Sequence, residues 1–290
     1  MIARRLFPTA SRIYRPVVSR RCLSSSSSDL VLTDIDADSG VATVTMNQAP
    51  VNSLSMEMCQ AISAAVKQME EESNVQSMVL ASSLPSVFCA GLDIMEMYKP
   101  DEARLTDFWH SFQQLYLDLY GSRLATIAAI HGHAPAAGCM LALSCDYRIM
   151  TTSGSKPATI GLNETKLGIV APPWLAQQLI DTVGQRHAEL GLSLGLLYKP
   201  EEALAIGLVD ELAPTDKVLK RAQDESAKWA KIPPKARLAS KMLARKTRLD
   251  NLVATREADN DFFRMFVTDD TVQKTVEIYL QSLANKKKSD

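Results

Sequence analysis

Glu164 stands in the stretch GLNETKLGIV, Gly161 to Val170, between a polar turn and an apolar run that leads into APPW. A carboxylate at such a junction can be a solvated charge on a connecting loop or a general acid and base held at a site. Two further segments use small residues where backbone must come close to something. FCAGLD places Ala90 and Gly91 after an apolar run, and APAAGCMLAL places Ala136, Ala137 and Gly138 at the entry to a helix. The first N–H groups of a helix have no partner inside it and carry the positive end of its dipole. Two such donors converging on one oxygen would form an oxyanion hole. Tight helix-on-strand packing also uses small residues, so these segments alone allow both readings.

Other chemistries lack their residues. Five cysteines (Cys22, Cys59, Cys89, Cys139 and Cys145) contain no CxxC pair, and His110, His131, His133 and His187 form no i, i+4 pair, so no metal site is expected. The cysteines read as free thiols of a reducing compartment. His131 and His133 could pair across a strand end, although a structural role is the stronger reading. GxGxxG and GxxxxGK[ST] are both absent, which disfavours a nucleotide site of the Rossmann or P-loop kind.

The elements that must position these residues alternate. DLVLTDIDADSGVATVTMNQ reads as two strands around the turn Ala37 to Gly40. SLSMEMCQAISAAVKQMEEES reads as a helix capped by Ser53 or Ser55, with Met58, Ile62, Ala65, Val66 and Met69 at helical spacing. VQSMVLASS is a buried strand, DFWHSFQQLYLDLYGS a helix, ATIAAIHG a strand and AAGCMLALSCD a compact apolar helix. YRIMTT and ATIGL are expected to continue the same sheet. From Pro172 onward the pattern is mostly helical, broken at Gly184, Pro200, Pro214 and Pro233–Pro234, and NKKKSD is expected to be a solvated helix end. Strand and helix alternation of this kind indicates an α/β fold.

The chain has 290 residues, 46% of them hydrophobic and 22% charged, enough for a sizeable core. Its formal charge of -1 hides an asymmetry, because residues 1–28 carry six arginines and no acid. The remainder has 26 basic against 33 acidic residues, about -7, which argues against nucleic-acid binding. The leading segment is Arg-rich, Ser-rich and acid-free, the composition of a mitochondrial presequence cleaved between Arg21 and Asp29. No apolar run reaches the roughly 18 residues of a membrane span.

Together, VNSLS (51–55), SVFCAGLDIMEM (86–97), IHGHAPAAGCMLALSCDYRI (130–149) and GLNETKLGI resemble the crotonase (enoyl-CoA hydratase/isomerase) superfamily, in its order and spacing from about Leu30 to Leu283. PVNSLS, FCAGLDIMEM, GLNETKLGIVAPPWL and EALAIGLVDEL are more similar to its isomerases than to its hydratases. The resemblance implies a spiral of ββα units over 29–225, a helical region over 226–290 and a homotrimer. It implies conversion of cis- or trans-3-enoyl-CoA to trans-2-enoyl-CoA in β-oxidation in the mitochondrial matrix. Coenzyme A would be part of the substrate, with no prosthetic cofactor.

By that resemblance Glu164 is the single acid and base, and the backbone N–H groups of Ala90 and Ala137 form the oxyanion hole. Ala137 departs from the glycine of many relatives, which keeps the donor and adds a methyl. Gly91, Leu92, Asp93, Ile94 and Asn163 line the substrate, with Asp93 also suited to capping the turn after Gly91 and Asn163 to a turn of its own. Met140 occupies the place of the hydratases' second glutamate. Adding water needs two acid/base groups, whereas a 1,3-proton shift needs one that reaches both carbons. Another crotonase reaction, hydration or thioester hydrolysis, and a non-catalytic acyl-CoA or RNA-binding role are the alternatives.

Remaining candidates are weaker. Asp146 and Arg148 suggest a structural pair, and Glu96 and Glu70 to Glu72 suggest solvated faces. Phe88, Trp174 and Leu175 could border an acyl pocket or fill the core. The apolar C-terminal helices, with FFRMF at 262–266, are expected to cover the acyl site or a neighbouring subunit.

Overall fold

The computed structural model describes residues 30–152 and 157–286; the leader expected over 1–28 and the last four residues of NKKKSD lie outside them. Strands β1 (Val31–Asp36) and β2 (Val41–Met46) form an antiparallel hairpin. Its turn is held by the Asp36 carboxylate, which accepts from Asp38 N–H and the Ser39 hydroxyl. From β2 the sheet continues in parallel through β3 (Ser77–Ser82), β4 (Ala125–Ile130), β6 (Tyr147–Thr151) and β8 (Glu211–Ala213), in the order β1-β2-β3-β4-β6-β8.

The central strands are buried on both faces, as parallel strands must be when helices flank the sheet. Helix α7 (Val218–Ala230) covers one face, where Val79, Ile127, Ala129 and Ile149 pack with Val218 and Ala222. The alternate residues Ala128 and Ile130 turn into the larger core on the other side. Because α7 is part of this sandwich, position 226 lies inside a helix that packs on the sheet.

Strands β2, β3, β4 and β6 are each followed by a short extended segment in a second layer and then by a helix. Leu54 follows β2 and leads into α1 (Met56–Glu71); residues 87–92 follow β3 and lead to α2 (Glu102–Tyr120). β5 (Ala134–Pro135) follows β4 and leads into α3 (Ala137–Ser144), and β7 (Ile160–Gly161) follows β6 and precedes α4 (Pro173–Val183). The second layer is joined by the parallel contacts Leu54 with Leu92, Val87 with His133, and Ala134 with Ile160. Four turns of this spiral bring the ends of all four short segments together.

Local chemistry fixes the helix starts. Ser55, not Ser53, caps α1, its hydroxyl accepting from Met58 N–H at 3.3 Å. α2 begins at Glu102, earlier than its apolar periodicity suggests, because Asp101 accepts from Arg104 N–H at 2.9 Å.

Several expectations need correcting. ATIGL does not continue the main sheet: Ile160 pairs with Ala134 and Tyr198 in the second layer. The three-residue strand β8, within a stretch that reads as helical, supplies the sixth strand instead. Asp146 and Arg148 do not pair with each other. Asp146 meets Lys241 at 2.9 Å and Arg245 at 2.8 Å, while Arg148 meets Asp210 at 2.9 Å. Glu96 is buried, held by Arg104 through both carboxylate oxygens at 2.6 and 2.9 Å and by Met56 N–H. Glu70 likewise accepts from the Ser122 hydroxyl and Arg123 N–H.

After α5 (Gln185–Leu194) and α6 (Pro200–Ala205), the chain ends in the 34-residue α8 (Pro234–Val267) and in α9 (Asp270–Lys286). α8 is anchored on α2 and α4 by Asp259, whose carboxylate Oδ2 accepts from Trp109, Gln113 and Trp174. Phe263 stacks on Trp109 with ring centroids 3.6 Å apart.

Candidate active site

Glu164 opens a single 3-10 turn, Glu164–Leu167, which follows the second-layer strand β7 through Leu162 and Asn163. Gly168 ends this turn in the left-handed region at φ 78°. The Thr165 hydroxyl donates to Leu192 carbonyl at 2.8 Å and ties the turn to α5. The Glu164 carboxyl is directed inward, and Oε2 is buried with no hydrogen-bond partner among the described residues. Asn163 Oδ1 beside it is also buried and unpaired. Loss of hydration, opposed by Glu164's own backbone N–H, pushes the carboxyl up to about 7. Such a group takes or gives a proton at neutrality, which an ordinary carboxylate does poorly as an acid.

Cys139, on the first turn of α3, lies within electrostatic range of Glu164. Burial and the Glu164 charge both hold its thiol protonated. The two small-residue segments meet at the same place. A Cβ on Gly138 would lie 2.2 Å from Cys89 carbonyl oxygen, so only glycine permits this approach of α3 to the 89–91 segment. A Cβ on Gly91, at φ 100°, would lie 3.1 Å from Ala136 Cβ and 3.4 Å from Ala137 nitrogen. Ala136 adopts φ 50° before the helix, and its N–H donates to Gly161 carbonyl at 2.8 Å.

Ala90 and Ala137 are brought to one corner, but their N–H groups differ. Ala137 is the first residue of α3, and its N–H has no acceptor among the described residues. Its methyl is buried. Ala90 N–H donates to Val51 carbonyl at 3.0 Å, and Gly91 N–H points to Cys89 Sγ at 3.5 Å. Met140, one turn along α3, is fully buried; the Ser144 hydroxyl sits 3.3 Å from its sulfur.

Leu92 pairs with Leu54 in the second layer. Asp93 caps the 3-10 turn Ile94–Glu96 by accepting from Met95 N–H at 3.0 Å, and its other oxygen accepts from the Ser53 hydroxyl at 3.0 Å. Ile94 is half-buried at the start of that turn. Phe88, Trp174 and Leu175 are core residues. His131 bonds Leu84 carbonyl and His133 bonds Thr159. Among the described residues no three His, Cys, Asp or Glu side chains group as a metal site, and no helix is long and apolar enough to cross a membrane.

Sequence reasoning expected the C-terminal helices to cover the acyl site or a neighbouring subunit but missed the residues by which α9 is tied down. Gln273 receives Lys99 N–H at 2.8 Å and donates to Met97 carbonyl at 2.8 Å and Val267 carbonyl at 2.6 Å. Tyr98 hydroxyl donates to Glu277 at 3.2 Å, and Val272 lies against Gly168. Thus α9 joins the Leu92–Lys99 segment to the turn that carries Glu164, within one chain. Gln273 lies 174 positions from Lys99 and 176 from Met97, with no local pattern that could reveal the contact.

The chain matches the family model described as Enoyl-CoA hydratase/isomerase over residues 36–288. It is 43% identical over 257 residues to Enoyl-CoA delta isomerase 1, mitochondrial, of Rattus norvegicus, covering 89% of this chain and 88% of the relative. The crystal structure of human mitochondrial delta3-delta2-enoyl-CoA isomerase superposes with a TM-score of 0.86 at 41% identity, covering 89% and 99% of the two chains. An enoyl-CoA hydratase from Bacillus halodurans shares the fold, with a TM-score of 0.77 at 22% identity and coverage of 86% and 99%.

Proposed function

The chain belongs to the enoyl-CoA hydratase/isomerase family, and from that premise we propose that it is a Δ3,Δ2-enoyl-CoA isomerase of mitochondrial β-oxidation. The observation that carries this reading is one inward-facing carboxyl, Glu164, poised near neutrality, with a buried methionine at position 140.

Ionised Glu164 takes a proton from C2 of a cis- or trans-3-enoyl-CoA. The electron pair left behind spreads over C2 to C4 and the thioester oxygen as a dienolate. Glu164 then returns the proton at C4, leaving the double bond between C2 and C3, conjugated with the carbonyl. No atom is gained or lost. A carboxyl near 7 suits both steps, since it is a stronger base than an ordinary carboxylate and is still protonated often enough to act as the acid.

Most of the barrier reduction comes from the oxyanion hole, where one donor is worth about 3 to 4 kcal/mol. Ala137 N–H, at the positive end of α3, is free to serve as one donor. Ala90 N–H is the second and shares its proton between Val51 carbonyl and the substrate oxygen, as three-centre bonds allow. Positioned proton transfer adds a factor of roughly 10² to 10⁴. Leu92, Ile94 and the backbone of Gly91 and Asp93 wall the substrate, and Asn163 orients the carboxyl or the thioester. Coenzyme A belongs to the substrate and no prosthetic group is used.

The relatives' names carry the word mitochondrial, and the basic leader fits import to the matrix. Exposed Leu243 and Val253 on α8 fit burial in a homotrimer. Incubation with 3-hexenoyl-CoA, following the conjugated product and the 3-hydroxy product separately, tests the activity. Isomerisation without hydration is expected; hydration without isomerisation would overturn it.

A further inference from the structure

We infer that Gln273 is a positioning residue of the isomerisation: with its neighbour Val272 it clamps α9 across the Met97–Lys99 stretch and the turn of Glu164, so that the proton taken from C2 returns at C4 without exchanging with water. This rests on the isomerase reading. Between the two transfers the carboxyl holds that proton beside the bound dienolate, and water reaching it there would wash the proton out. A cover over the turn is therefore part of the chemistry.

The Gln273 amide uses both of its hydrogens and its oxygen. Oε1 accepts from Lys99 N–H at 2.8 Å, and Nε2 donates to Met97 carbonyl at 2.8 Å and to Val267 carbonyl at 2.6 Å. Met97 and Lys99 lie on the segment that runs on from Ala90 through the Ile94–Glu96 turn. Val267 is the last residue of α8, where carbonyls lack partners within the helix. One side chain thus ties α9 to both. Lys99 stands at φ 45°, a conformation that a residue other than glycine keeps only where its surroundings fix it. Tyr98, between the two, donates its hydroxyl to Glu277 at 3.2 Å, one turn further along the same face of α9.

The adjacent stripe of α9 meets the turn of the base. Asp269 starts the helix by accepting from Thr271 and Val272 N–H at 2.8 and 3.3 Å, and α9 packs on the Glu164–Leu167 turn. Val272 and Val276 are 6% and 2% exposed, within the main core. A Cβ built on Gly168, which ends the turn, would lie 3.7 Å from Val272 Cγ2. On the inner side Glu164 Oε2 is buried, with no partner among the described residues. Neighbouring residues of one helix therefore hold the substrate segment and the turn of the base, and lifting α9 frees both at once.

The test uses the full-length wild type, Gln273→Glu, Gln273→Met and Val272→Ala, with 3-hexenoyl-CoA carrying deuterium in place of both hydrogens at C2. Product formed in ordinary water at low conversion is read for deuterium at C4. Wild type should retain most of the label in each turnover. Gln273→Glu keeps the acceptor for Lys99 but, as a carboxylate, has no hydrogen for the two carbonyls, so it should lose most of the label to solvent. Gln273→Met should do the same. Val272→Ala keeps all three amide bonds and removes only packing on Gly168; its retention should also fall, and it gives an answer if the amide variants do not fold. A merely structural role would lower the amount of active enzyme and leave retention per turnover unchanged. If wild type isomerises and no variant loses label, or if wild type itself washes the label out, the clamp does not keep water from the base, while the isomerase reading stands. If wild type does not isomerise, that reading falls and the inference falls with it.

Discussion

Ala136 N–H donates to Gly161 carbonyl at 2.8 Å, and this one bond joins the turn that presents the Ala137 N–H to the strand that leads into the Glu164 turn. Glu164 and Ala137, the proposed base and oxyanion donor, are 27 positions apart in sequence, and their backbones are fixed to each other one residue from Ala137 and three from Glu164. Relative placement within about an ångström is what proton transfer to a developing dienolate demands.

Glu164→Gln should lower kcat by at least about 10²-fold, since it removes positioned proton transfer while leaving the oxyanion donors in place. Steady-state isomerisation of 3-hexenoyl-CoA measures it. Full activity in that variant would take Glu164 out of its assigned role.

The pH dependence follows from the raised carboxyl. The base must be ionised in the free enzyme, so kcat/KM should climb through about pH 7 and then level. A profile already flat from pH 5 upward would contradict a buried base.

Stability should carry the same titration with the opposite sign. A carboxyl near 7 in the folded state and near its ordinary 4.5 in the unfolded state binds more protons when folded. Its contribution is complete below the unfolded value and is lost as pH rises from about 4.5 through about 7. Urea midpoints of wild type and Glu164→Gln should therefore converge at acid pH and diverge above neutrality, with the glutamine variant the more stable.

Gly138→Ala places a methyl 2.2 Å from Cys89 carbonyl oxygen, where only a backbone shift can relieve the overlap. Overpacking of this kind costs about 1 to 3 kcal/mol. Because the shift falls on the segment holding Ala90, kcat should drop further than the loss in melting temperature alone would predict.

Asp146→Ala leaves Lys241 and Arg245 without their shared partner. Asp146 and Lys241 are each only 7% exposed, which makes the site a buried ion pair. A loss of about 3 to 5 kcal/mol on chemical denaturation is expected. A change within experimental error would show that α8 is held by its packing on α2.

The strand and helix alternation through residue 151 was legible because periodicity is a local property. Each apolar run had to match the repeat of the element that buries it. Glu164 became the candidate base through motifs that resemble those of the family. Where expectations missed, the deciding contact was distant. ATIGL has the composition of a sheet strand, yet Ile160 found partners in Ala134 and Tyr198. Glu96 looks solvated by type, yet Met56 N–H, 40 residues back, and Arg104 hold it inside the fold.

By itself, then, the sequence determined the α/β alternation, the residue types at the site and the methionine at position 140. The tertiary structure alone decided the rest: that Ala90 N–H donates to Val51 carbonyl while Ala137 N–H has no acceptor among the described residues, that Gln273 ties α9 to the Met97–Lys99 segment, and that burial pushes the Glu164 carboxyl up to about 7. Residue type fixes what a group can do in water. Its hydration and its partners are set by chain segments that meet only after folding, and no local pattern records them.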